Sequence, residues 1–178
     1  MKKNSLPDKA YQYAIDCHKS TNHLYDSYLP YEFHLRMVVN VANNFLHLVP
    51  SEKREIVMAA CWAHDLIEDC RQNYNDVKEI LGEEVAEIVY AVTNEKGKNR
   101  TERANQKYYD GIKANHLAIF VKLCDKIANV QYSIMNQSHN KLKIYESEHE
   151  NFYHNLYHPD FQVMFEYLER LFKQKSIF

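Results

Sequence analysis

Apolar residues along this 178-residue chain recur three and four positions apart in segment after segment, the spacing that lines one face of an α-helix. Ala10, Tyr13, Ala14 and Cys17 share a face behind Pro7 and Asp8, which suit a helix start. Residues 19–30 (KSTNHLYDSYLP) show no period and end in proline, which predicts a loop. From Tyr31 a second stripe runs through His34, Met37, Val38, Val41, Phe45 and Leu48 and stops at Pro50. Ser51 can cap a third helix whose inward positions are Ile56, Ala60, Ala63, His64 and Ile67, and which is expected to continue through 64–69. Asp76 and Glu79 have capping-box character, and Gly82 is expected to close that short helix in the left-handed conformation. Val85, Ile88, Val89 and Val92 form the next face, 94–100 reads as a basic loop, and Thr101 caps a helix through Ile112.

The apolar run 117–123 (LAIFVKL) fits a strand or a buried helix. Its continuation through Asp125, Ala128 and Asn129 to Ile134 is too long for an ordinary strand, so helix is expected. Two further helices are expected at about 141–156 and 159–172. The second carries a wide apolar face of Phe161, Met164, Phe165, Leu168, Leu171 and Phe172. The pattern predicts an all-α, single-domain helical bundle over 1–178, with the helices of 141–172 completing it.

Composition narrows the function. Three glycines and four prolines leave too few turn residues for an all-β fold, and no glycine-rich loop that could cradle phosphates. A net charge of −2 argues against non-specific nucleic-acid or membrane-surface binding. No apolar run reaches the length of a membrane span, and nothing apolar follows Met1-Lys2-Lys3 to make a signal peptide, so a cytoplasmic location is expected. The four cysteines are scattered without a CxxC pair, as reduced and mostly buried thiols would be. Homo-oligomer formation stays open.

Three segments put ionisable residues on faces that otherwise look buried: His34, residues 64–69 (HDLIED), and Asp125. A lone inward histidine is ordinarily a hydrogen-bonded core residue, and Asp125 could pair with Lys122 or Lys126. With ten histidines and nine aspartates, a single His-Asp step is expected by chance about as often as not, but acids at two further fixed offsets reduce that chance roughly two-hundredfold. On a helix His64 and Glu68 are neighbours four apart, and so are Asp65 and Asp69, which crowds one imidazole and three carboxylates. Apposed carboxylates repel unless a cation lies among them. Nitrogen and carboxylate donors from separate helices suit one divalent first-row metal, Mn²⁺ first, with Fe²⁺, Zn²⁺, Co²⁺ or Mg²⁺ also open. His34 and Asp125 are the natural remaining ligands.

The same residues resemble the HD-domain metal-dependent phosphohydrolases, nearest to the hydrolase domains of RelA/SpoT-type guanosine-tetraphosphate enzymes and their small stand-alone relatives; the resemblance puts the core motifs of a single such domain in roughly 8–135. Tyr31 and His34 after Pro30 stand in that family's PYxxH, residues 64–69 in its HDxxED, and 125–129 (DKIAN) in its DKxxN. The resemblance implies metal ligation by His34, His64, Asp65 and Asp125. It implies that Glu68 and Asp69 handle the attacking water and its proton, and that Asn129 contacts the nucleotide. Counting back from Pro30 aligns Ser27 with the family's serine and Tyr25 with a base-stacking arginine, while Lys141 and Tyr145 resemble a basic residue and a tyrosine at the family's pocket. The loop 19–30 departs from the family: it is longer and has no arginine. Candidate phosphate-binding groups are Lys96, Lys98, Arg100, Arg103, Lys126 and Lys141. The implied partner is a small phosphorylated nucleotide, and the implied reaction is removal of a 3′-diphosphate as pyrophosphate. A phosphomonoesterase acting on NADPH or a nucleoside monophosphate, and a regulatory module that binds nucleotide without turnover, are the alternatives.

Overall fold

The computed structural model describes residues 5–174, and in it helices account for nearly all regular structure. Helix α1 (Leu6–Ser20) begins behind Ser5, whose side chain and that of Asp8 satisfy each other's backbone N–H groups, so the capping box sits just ahead of the expected Pro7 start. The segment expected as a plain loop contains a minimal hairpin, β1 (Leu24–Tyr25) against β2 (Leu29–Pro30), paired antiparallel. Its turn takes Asp26 and Ser27 to positive φ (51° and 69°), the pair of left-handed residues a type I′ turn requires.

Helix α2 (Glu32–Phe45) and helix α3 (Arg54–Ala63) follow, each flanked by a short 3₁₀ turn. The third helix does not continue through 64–69. It ends at Ala63, residues 64 and 65 form a turn, and a separate one-turn helix α4 (Leu66–Asp69) follows. Consecutive residues of an unbroken helix point ~100° apart, and here His64 and Asp65, at the break, reach one point.

The cap of helix α5 (Tyr74–Leu81) is also corrected. Asn73, not Asp76, is the N-cap, with Asp76 completing the box. Gly82 does end α5 at positive φ (92°), but with an extended ψ of 164° rather than the left-handed helical value, and it leads straight into α6 (Glu83–Val92). The single helix expected from Thr101 divides into α7 (Arg100–Arg103), capped by Asn99, and α8 (Gln106–Lys113), capped by Asn105.

The ambiguous run is helical. It lies in α9 (His116–Met135), which packs against α2, α3, α6, α8, α10 (His139–Ser147) and α12 (Gln162–Gln174) and is therefore buried on several sides. The expected helix at 141–156 bends at Glu148 into α10 (His139–Ser147) and α11 (His149–Leu156). Helix α12 (Gln162–Gln174) follows a 3₁₀ turn at Pro159–Phe161. Phe161, Met164, Phe165, Leu168, Leu171 and Phe172 all join the one hydrophobic core. The cysteines are free, three of them buried. No described helix is long and apolar enough to cross a membrane.

Candidate metal centre and cavity

Three helical segments deliver polar side chains to one buried point. His34 comes from α2, His64 and Asp65 from the turn after α3, and Asp125 from the middle of α9. The His34 and His64 Nε2 atoms face each other at 3.3 Å, and both rings are only 2% exposed. Asp125 Oδ1 lies 3.4 Å from His34 Nε2 and 3.8 Å from His64 Nε2. Asp65 Oδ2 lies 3.0 Å from His64 Nε2 and 3.7 Å from His34 Nε2.

The surroundings fix these donors. His64 Nδ1–H donates to the Cys61 carbonyl at 3.0 Å, which aims Nε2 at the cluster, where a bound cation would take the place of its proton. The Tyr25 ring stacks on His34 at 4.8 Å, and its hydroxyl donates to Asn129 Oδ1 at 3.0 Å. Asn129 Nδ2 donates in turn to Asp125 Oδ1, and Lys122 Nζ lies 3.0 Å from Asp125 Oδ2. Burial opposes a charge on His64, but Asp65 and Asp125 outweigh it and hold the ring protonated up to about 10. Burial likewise works against charge on both carboxylates. His64 overcomes it at Asp65, and Lys122 with His34 at Asp125, so both stay below the usual carboxylate range. Facing imidazole nitrogens flanked by two ionised carboxylates, with the tautomer set from behind, are a donor set that fits a divalent cation.

Beside this point the acidic pair divides. Asp69 is half-buried, with the Tyr31 hydroxyl 3.4 Å and His23 Nδ1 3.7 Å from Oδ2. Burial, with the charges of Asp65 and Glu68 added, pushes its carboxyl up to about 7. Tyr31 also donates to Asp65 Oδ2, so one hydroxyl bridges a ligand-type carboxylate and the raised one. Glu68 is exposed, and its carboxylate accepts from the Asn94 side chain at 2.8 and 3.0 Å.

The cluster forms the floor of a cavity of about 530 Å³, within the range of small-ligand sites. Arg100, Arg103, Lys122 and Lys126 also line it, together with Tyr145. Glu148, at the bend between α10 and α11, binds Arg100 at 2.7 and 3.0 Å and Lys126 at 3.0 Å. Arg100 and Lys126 both lie over the Tyr145 ring.

His34, Asp65, Glu68, Asp69, Asp125, Asn129 and Tyr145 thus line one cavity, with His64 directly beneath. Tyr25, Ser27 and Lys141 do not line it. Tyr25 backs His34, and Ser27 is exposed at the hairpin tip. Lys141 is held by Asp26, which also accepts from Tyr132 at 2.9 Å and Asn136 at 3.2 Å. Lys96 and Lys98 are likewise outside the lining. The sequence reading assigned no role to the Tyr31 hydroxyl, Asn94 or Glu148. Tyr31 stood within a noted motif, whereas the other two had no local signal.

Fold and site together give an all-α domain with a buried histidine–aspartate cluster that could hold a metal ion, beneath a cavity lined by both acidic and basic side chains. Two curated relatives bear out the resemblance drawn from the motifs. Guanosine-3′,5′-bis(diphosphate) 3′-pyrophosphohydrolase MESH1 of Danio rerio is 29% identical over 119 residues, 67% of this chain and 64% of that protein. The Drosophila melanogaster protein of the same name is 29% identical over 120 residues, 67% of this chain and 65% of its own. The matched region thus spans just under two thirds of these relatives. A solved structure described as "A metazoan ortholog of SpoT hydrolyzes ppGpp and plays a role in starvation responses" shares the fold, with a TM-score of 0.72 at 19% identity over 100% of this chain and 99% of that one. No family model matches the chain.

Proposed function

We propose that the chain is a metal-dependent phosphohydrolase that removes the 3′-diphosphate of a guanosine tetraphosphate or pentaphosphate, or a similar purine nucleotide, as pyrophosphate. The observation that carries this reading is that two imidazoles and two carboxylates gather at one point of a cavity that guanidinium and ammonium groups also line. The names of the two relatives, both 3′-pyrophosphohydrolases, support the choice of bond.

His34, His64, Asp65 and Asp125 would hold one divalent ion, of which Mn²⁺ is our choice. When bound, such an ion makes water acidic and polarises a phosphoryl oxygen. The chain's own groups do the rest. Asp69, with a carboxyl that titrates near neutrality, accepts the proton of the attacking water. Tyr31 holds that carboxylate beside Asp65. Glu68, steadied by Asn94, orients the water or passes the proton on. Arg100 and Lys126 receive the anionic phosphates by exchanging their partner Glu148 for substrate oxygens. Asn129 and Tyr145 stand where a nucleoside would pass. The partner is a small nucleotide and the location cytoplasmic.

Purified protein with Mn²⁺ should release pyrophosphate from 3′-diphosphate purine nucleotides. Release of orthophosphate from NADPH or nucleoside monophosphates, with no pyrophosphate from any 3′-diphosphate nucleotide, would replace this reading with the phosphomonoesterase. Binding without turnover would replace it with the regulatory module.

A further inference from the structure

A second cluster with the same kinds of donor lies outside the cavity. His116 is the first residue of α9, and His158 and Asp160 flank Pro159 at the turn leading into α12. Asp160 Oδ2 lies 3.0 Å from His116 Nε2 and 3.7 Å from His158 Nδ1, and one donor atom from each of the three residues falls within 4.8 Å of the others. None of the three lines the cavity.

We propose that His116, His158 and Asp160 form a second divalent-cation site, one that takes a borderline metal such as Zn²⁺ and ties the start of α9 to the turn before α12.

Several features shape these residues for ligation. The orphan N–H groups at the start of α9 are capped by Asn115, which accepts from Leu117 and Ala118, so His116 is not needed there. Its Nε2 is occluded and makes no hydrogen bond. The His116 ring is set by stacking on Phe161, at 4.6 Å and 29°, and Phe161 is fully buried. The His158 ring meets it edge-on at 4.5 Å. His158 Nδ1 accepts a hydrogen bond from the Asp160 backbone N–H, so it carries no proton, and at 3.3 Å that bond is long enough for a cation to displace it from the lone pair. Pro159 stiffens the link between His158 and Asp160, so part of the chelate is already in place. Two imidazole nitrogens and one carboxylate oxygen suit zinc better than magnesium or calcium, which require more oxygens. The side chains of His116 and His158 are 39% and 38% exposed, which leaves room for a water as fourth ligand.

The test is equilibrium dialysis of the chelator-stripped full chain against Zn²⁺, comparing wild type with His116→Ala/His158→Ala. The difference between them is the readout, so the result does not depend on how the inner centre takes zinc. One equivalent per chain should be lost in the variant. Asp160→Asn, at a 60% exposed side chain whose loss does not threaten folding, should weaken that equivalent at least ~tenfold. Zinc should also shift the ¹⁵N resonances of His116 Nε2 and His158 Nδ1 in the wild type. Equal zinc uptake by wild type and both variants, or unshifted ring nitrogens, would overturn the site and leave an ordinary His–Asp ion pair.

Discussion

The inner and outer clusters use the same kinds of donor, two imidazoles with two carboxylates inside and with one carboxylate outside, and differ in burial and in sequence separation. In the inner one His34, His64 and Asp125 come from three segments, and their side chains are 2%, 1% and 13% exposed. In the outer one His158 and Asp160 are two residues apart, and all three side chains are more than a third exposed. Water and salt screen the outer charges, so that cluster is tolerable as a weak ion pair. The inner groups have exchanged most of their water for one another, so His64, Asp65 and Asp125 depend on their neighbours for their charge states. Burial, more than donor identity, decides whether such a cluster must be completed by a cation.

The sharpest way to break this comparison is to remove one acid from each. Asp125→Ala should abolish stoichiometric metal at the inner centre and lower kcat by ~10³-fold or more, the several kcal/mol a metal supplies. It should also cost about 3–5 kcal/mol in stability, because Lys122 loses its buried partner. Metal analysis, turnover and denaturant unfolding check the three effects. Asp160→Asn, measured in chelator, should change stability by less than about 1 kcal/mol.

Glu68→Ala separates chemistry from metal retention. Its kcat should fall on the order of 10²-fold, as for a positioned acid or base, while metal content stays near wild type. Wild-type turnover in that variant would remove Glu68 from the reaction.

pH sharpens the comparison further. The His64 pKa is raised to about 10 in the folded chain, against 6.5 in the unfolded one. Its protonated form therefore stabilises the chelator-treated protein fully below about 6.5, and that contribution is lost as pH rises through about 10. Metal binding runs the other way, since ligation displaces the proton. Inner-site affinity should weaken about tenfold for each pH unit lowered below 10, per proton displaced. A pH-independent inner-site affinity between 7 and 9 would contradict the buried ion network.

The smallest expected effect concerns the cavity wall. Glu148→Gln removes the anion that neutralises Arg100 and Lys126. KM for a polyphosphorylated nucleotide should fall a few-fold, the scale of a partly screened ion pair, with kcat little changed.

What was legible in the sequence was local. The 3.6-residue period made the helices readable, including α9, because a helix's buried face repeats within a few residues. The motif residues His34, 64–69 and 125–129 stood out as charges on apolar faces. Even the asparagine caps at 73, 99 and 105 had a local signal, since asparagine is among the best N-caps, although the reading passed over them. The tertiary structure decided how those pieces meet. It broke the helix at His64 and Asp65, where two consecutive residues reach one centre, and it laid Tyr25 against His34 rather than in the cavity. It also drew Lys141 to Asp26, 115 positions away, and brought Glu148 to Arg100 and Lys126, 48 and 22 positions away. Helical periodicity is written in neighbouring residues, but a charge goes where the nearest opposite charge lies in the packed chain, and only packing sets that distance.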